Sequence, residues 1–138
     1  MVHQPPHKLL REFNILNKGG LHSGMKLQLL DIFTYSCMNC LRSWKCLKKL
    51  HNAYRKYGLE LAIIHPYEWK FEKDVKNVER AINDLKIKVP VILDPERRLI
   101  KKLGINFWPA QLLVRDGKIV YLHIGEGSYK ALEGNIRN

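Results

Sequence analysis

Cysteine is scarce: three residues in a chain of 138. That excludes a small fold stapled by disulfides, and it turns any close pair of thiols toward catalysis or metal binding. Acidic side chains are also few, 13 against 24 Lys and Arg, for a net charge of +11. A field of that sign attracts acidic partners. Yet no Lys/Arg run exceeds two residues, so the charge is expected to be solvated surface and no nucleic acid is expected as partner. No stretch approaches the roughly 18–20 apolar residues of a membrane span. The start, Met1-Val2-His3-Gln4-Pro5-Pro6-His7, has no apolar run behind basic residues. The expectation is a soluble, cytoplasmic protein with no membrane contact. No repeat or low-complexity stretch divides the chain, so residues 1–138 are expected to form one domain, with residues 1–8 a loose polar arm.

What is present is 46% hydrophobic and 27% charged residues, enough to build a globular core. Its most informative element is Cys37-Met38-Asn39-Cys40. Two thiols at this spacing form a disulfide or bind a metal. A largely apolar run, residues 27–33, precedes the motif and predicts a strand. Residues 41–57 follow it and predict a helix, with Leu41, Trp44, Leu47, Leu50 and Tyr54 at helical spacing and Gly58 at the position that ends one.

The rest of the chain alternates. Residues 9–16 suggest a short strand, closed by Gly19-Gly20. Residues 59–65 predict a buried strand stopped by Pro66. Residues 73–85 predict an amphipathic helix with Val75, Val78, Ile82 and Leu85 inward. Residues 89–93 predict a strand. Asp94-Pro95 predicts a helix start, a carboxylate cap followed by proline, for a helix ending at Gly104. Residues 111–114 and 119–124 predict strands joined by Arg115-Asp116-Gly117-Lys118, in which Asp-Gly is a hairpin signal. After Gly125-Glu126-Gly127 a last helix is predicted over 128–137. The order β-α-β-α-β-α-β-β-α implies parallel strands joined by crossover helices, ending in an antiparallel hairpin.

Cys37 is expected where loop becomes helix, and Cys40 in the first turn. Thiol–disulfide exchange needs one thiolate to attack and a second thiol to resolve the mixed disulfide. The free N–H groups at the helix start favour negative charge by about 0.3–2 kcal/mol, which makes Cys37 the attacker. Cys40, one turn inside, is the shielded resolver. A metal site could name Cys37, Cys40, Cys46 and His51 as ligands. On a continuous helix, however, Cys40 and His51 lie about 16 Å apart along the axis, while zinc needs every donor within about 2.0–2.3 Å. The expectation is no metal. Cys46 is about 240° round the helix from Cys40 and is expected to pack as a small hydrophobe.

The segment Leu30-Asp31-Ile32-Phe33-Thr34-Tyr35-Ser36-Cys37, closed by Cys40, resembles the active-site strand and loop of the thioredoxin superfamily. A second block, Lys102 to Lys118 through Phe107-Trp108-Pro109-Ala110, resembles that superfamily's cis-proline region. A nearer resemblance is to the thioredoxin-like domain of DipZ-type, TlpA-like thiol–disulfide interchange proteins. It is carried by Thr34-Tyr35-Ser36-Cys37 with Asn39-Cys40-Leu41-Arg42, by His65 with Glu68 and Phe71-Glu72-Lys73, and by Trp108-Pro109-Ala110 with Gly125-Glu126-Gly127. Together these cover residues 27–138.

The resemblance implies a three-layer α/β/α thioredoxin-like fold around a mixed sheet. It implies that Asp31 moves protons to and from Cys40, and that Trp108-Pro109 is cis and offers its backbone to a substrate beside the two thiols. It implies protein disulfides or dithiols as substrates, an electron-donor reductase as partner and no cofactor. Met38-Asn39 replaces the Gly-Pro of ordinary thioredoxins, which leaves the direction of electron flow open. His65 and Glu68 are candidates for proton relay or substrate contact, or for plain loop packing. Two other functions stay in view. One is a peroxiredoxin-like thiol peroxidase, for which Thr34-x-x-Cys37 fits and Leu30 stands where that family has proline. The other is a non-enzymatic basic binding module.

Overall fold

The computed structural model describes residues 13–17 and 27–138. The arm expected at residues 1–8, residues 9–12 of the first strand and Gly19-Gly20 lie outside the described residues. Elements are numbered in chain order. The strands are β1 (Ile15–Leu16), β2 (Leu27–Ile32), β3 (Leu59–His65), β4 (Val91–Leu93), β5 (Ala110–Arg115) and β6 (Lys118–Ile124). The helices are α1 (Met38–Tyr54), α2 (Val75–Asp84), α3 (Arg98–Lys102) and α4 (Tyr129–Arg137), and single 3₁₀ turns cover Arg55–Tyr57 and Lys70–Lys73.

The strands form one sheet in the order β1-β4-β3-β2-β5-β6. β2, β3 and β4 run parallel, joined by helical crossovers, while β5 and β6 form the antiparallel hairpin. β5 returns to the centre and pairs antiparallel with β2. That return places the residue after Pro109 beside the strand leading to Cys37, since Ala110 lies opposite Ile32.

Strand alternation divides the core in two. Leu27, Leu29 and Phe33 face one side and pack with Cys40, Trp44 and Leu47 of α1, Val78 and Ile82 of α2, and Leu132 and Ile136 of α4. Leu30 and Ile32 face the other side, with Leu99 and Ile100 of α3. The three-layer α/β/α, thioredoxin-like arrangement is therefore present, with three helices on one face and the short α3 on the other. Asp31 has the same parity as Leu29 and Phe33, so β2 turns its carboxyl toward the layer that holds α1.

Three local expectations needed correction. The helix expected from Asp94-Pro95 begins only at Arg98. Residues 94–97 make a turn closed by Arg97 N–H donating to the Asp94 carbonyl at 3.0 Å. The Asp94 carboxylate still caps the helix, accepting from the N–H groups of Leu99 and Ile100 at 3.1 and 3.0 Å. In α2 only Val78 and Ile82 are buried. Val75 and Leu85 are 37% and 39% exposed, because a helix of ten residues carries its end positions beyond the cluster that its middle joins. α1 begins three residues earlier than residue 41 and passes into the 3₁₀ turn before Gly58, whose φ of 97° ends it in the left-handed region.

Candidate active site

The strand β2, the loop at residues 33–36 and the start of α1 bring the two thiols together. Cys37 is the N-cap of α1, and its Sγ accepts the N–H of Cys40 at 3.2 Å. The Cys37 N–H donates to the Thr34 carbonyl at 3.1 Å, which closes the loop. Cys37 is half-buried and Cys40 wholly buried, both as free thiols. The Cys37 sulfur is thus accessible at a helix start and meets a backbone donor. Burial pushes the Cys40 thiol far up, helped by its hydrogen bond to Cys37 and by the charges of Cys37 and Asp31, with a backbone bond to Thr34 acting the other way. Cys40 therefore keeps its proton until a base removes it.

Asp31 is completely buried and faces that thiol's layer. Its Oδ1 accepts a long bond from Gln111 Nε2 at 3.5 Å, and its Oδ2 has no partner among the described residues. Burial holds the carboxyl well above the usual carboxylate range, and Gln111 offsets this only in part. Gln111 is opposite Asp31 in the β2–β5 ladder. Nothing near Asp31 in the sequence announces this partner.

The Trp108–Pro109 peptide bond is cis. The Pro109 carbonyl accepts the Gly125 N–H at 2.7 Å, which ties the start of β5 to the Gly125-Glu126-Gly127 turn. That turn reaches back to α1. Glu126 accepts Arg42 Nε at 2.8 Å and Arg42 Nη2 at 3.2 Å, and Arg42 Nη2 also donates to Asn39 Oδ1 of the motif. Arg42 lowers the Glu126 carboxyl below its ordinary value. The pair is exposed, so its stabilising effect is screened by solvent. Met38, the other inner residue of the motif, is 65% exposed.

Of the two other expected residues, the structure brings in one. His65 is buried; its Nε2 accepts the Tyr35 N–H at 3.1 Å and its Nδ1 lies 2.7 Å from the Pro66 carbonyl. These partners require a neutral ring protonated at Nδ1, and burial lowers its pKa accordingly. Its ring stacks on Tyr35. Glu68 is exposed and supplies only its N–H. Glu72 takes the place expected for it. That buried carboxylate accepts Ser36 Oγ at 2.8 Å, Ser36 N–H at 3.4 Å, Glu68 N–H at 2.8 Å and Trp69 N–H at 3.0 Å. His65 and Glu72 thus hold the two residues before Cys37.

Arg97 is the residue that no sequence pattern marked. It adopts φ of 60°, sparsely populated for a side chain of this size. Its guanidinium lies 4.3 Å from the Tyr67 ring centroid and 5.2 Å from that of Trp108, and it donates to the Tyr67 carbonyl at 2.8 and 2.6 Å. It braces the loop that carries the cis-proline. Cys46 is half-buried and belongs to neither apolar cluster. Among the described residues, no group of three or more His, Cys, Asp or Glu side chains could hold a metal ion. No helix among them is long and apolar enough to cross a membrane.

The redoxin family model matches residues 23–136, most of the chain. The chain belongs to the redoxin family. Residues of this redoxin are 32% identical over 113 positions to protein DipZ of Mycobacterium bovis, covering 81% of this chain and 16% of that protein. They are 28% identical over 102 positions to the thiol-disulfide oxidoreductase ResA of Bacillus anthracis, covering 73% of this chain and 56% of that one. The redoxin chain thus spans about a sixth of DipZ and just over half of ResA. The crystal structure of StoA from Bacillus subtilis superposes with a TM-score of 0.67 at 22% identity, over 80% of this chain and 81% of that one. That likeness bears on the fold alone, and the fold is thioredoxin-like.

Proposed function

We propose that this redoxin catalyses dithiol–disulfide exchange on protein substrates. The observation that carries the proposal is a half-exposed thiol capping a helix, a buried thiol one turn inside, and a buried carboxyl on the strand beneath. The Cys37 thiolate attacks one sulfur of a substrate disulfide. A Cys37–substrate bond forms, the substrate S–S bond breaks and the first substrate thiolate leaves. Asp31, once it has lost its own proton to solvent, takes the proton of Cys40, whose sulfur then attacks Cys37. The Cys37–Cys40 disulfide forms and the second substrate thiolate leaves. Two electrons pass to the substrate, and the reverse steps run with a dithiol. The backbone at Trp108-Pro109 and the exposed side chain of Met38 offer a polypeptide a surface beside Cys37. Recycling calls for an electron-donor reductase, and the cycle uses no resident cofactor.

A redox titration tests this. Equilibrated in glutathione buffers, the Cys37–Cys40 pair is expected to follow a two-electron curve, shifting about 30 mV per tenfold change in the ratio of oxidised to reduced protein. Its midpoint sets the direction of physiological flow. A pair that never closes, or that titrates as a single thiol, overturns the reading. Peroxide reduction at Cys37 is the second reading. The buried Thr34 hydroxyl, three residues before Cys37 and without a partner among the described residues, favours it. Peroxide consumed in step with Cys37 oxidation decides for that reaction.

A further inference from the structure

α1 contains no acidic residue over its 17 positions. Lys45, Lys48 and Lys49 stand exposed on it, and among the described residues none of the three pairs with a carboxylate. They are not scattered. Met38, Leu41, Lys45, Lys48, Lys49 and Asn52 follow one another at steps of three, four, three, one and three, so they share one face. That face runs about 21 Å down the helix from the residue beside Cys37.

A groove of about 690 Å³ follows the same face, between α1 and the end of α2. Its apolar lining includes Leu41, Trp44 and Leu85, and Met38 lies at its upper end. Leu85, carried beyond the core by the end of α2, lines this groove. Trp44 is only 6% exposed, and its indole N–H has no partner among the described residues.

We propose that this groove seats an acidic polypeptide segment that flanks the disulfide of the protein Cys37 attacks. The occupant carries apolar side chains for the floor and carboxylates for the three lysines. Position selects a polypeptide over other polyanions. Whatever lies in the groove ends at Met38, one residue from the attacking sulfur, and a disulfide is brought there by the chain that bears it. No exposed aromatic side chain lines the groove to stack a base, as single-stranded nucleic acid requires. The proposal rests on the exchange reading above and adds the substrate class to it.

The test is single-turnover exchange with the reduced protein and three probes. Two are peptides with an internal disulfide flanked by either Glu-Leu or Lys-Leu repeats; the third is bis(2-hydroxyethyl) disulfide. At about 20 mM salt, where screening is weak, the Glu-flanked peptide is expected to react at least about tenfold faster than the Lys-flanked one. In the triple variant K45E/K48E/K49E that advantage should shrink to about twofold or less, or reverse. The rate with bis(2-hydroxyethyl) disulfide should not change, and circular dichroism should match the wild type. Equal rates for the two peptides, or an advantage that survives the triple variant, overturn the proposal while leaving exchange itself intact. If the wild type attacks none of the probes, the exchange reading falls and the groove assignment falls with it. Lysine-dependent binding of a single-stranded oligonucleotide or of phosphatidylserine vesicles, with no effect of the flank, also overturns it.

Discussion

Replacing Cys37 with Ser is expected to slow disulfide exchange at least about a thousandfold while leaving the fold intact. A hydroxyl in place of the thiol removes the nucleophile, and no other sulfur is placed to substitute. Cys40 is completely buried and its thiol is held protonated by that burial. Cys46 stands on another side of α1. The helix start tolerates the change, because Ser is itself a favoured N-cap and its oxygen can accept the N–H that Cys37 Sγ now accepts. Rates with a small disulfide protein, measured beside a thermal melt, check both halves. Exchange retained in C37S assigns the chemistry to another group.

The next largest effect is expected from Asp31→Asn. A positioned acid or base contributes about 10²–10⁴ in rate, so the resolving step by Cys40 should slow by about a hundredfold or more, with attack by Cys37 little changed. Stopped-flow measurement of the two phases separates them. In the wild type the resolving rate should rise with pH as Asp31 loses its proton, and D31N should lose that limb. Stability carries an independent signature. The folded Asp31 holds its proton to a higher pH than the unfolded chain does. Above about pH 4, the unfolded carboxyl's range, the unfolded state therefore binds fewer protons than the native one, and stability falls as pH rises toward the folded value. D31N removes that penalty, so its stability should exceed the wild type's by a margin that opens above about pH 4. Urea midpoints across pH measure it. A wild-type resolving rate in D31N reduces Asp31 to a buried carboxyl without a role in exchange.

What could be read in the sequence divides along contact range. The strand before the motif, the cap at Cys37 and the helix after it depend on periodicity and on neighbours in the chain, and all three are present. Gln111 is 80 positions from Asp31, and only the return of β5 to the sheet centre makes them partners. Glu68 and Glu72 are equally plausible on paper. The 3₁₀ turn at Lys70–Lys73 folds the second inward against Ser36 and leaves the first outside. Arg97 became visible only through a backbone conformation that its residue type does not announce. Val75 and Leu85 have the spacing of buried positions, yet a helix period says which residues share a face and not how far the neighbouring layer extends. The lysines of α1 form no long run in the chain for a related reason, since it is the helix turn that gathers them on one face.

The most direct measurement uses Cys40→Ser. Without the resolving thiol the reaction should stop at the mixed disulfide, with substrate bonded to Cys37. Incubated with a disulfide protein and resolved without reductant, C40S is expected to give a covalent adduct at close to one per chain, released by dithiothreitol, and mapped by mass spectrometry to Cys37. C37S should give none. An absent adduct, or one on Cys46, would contradict the account.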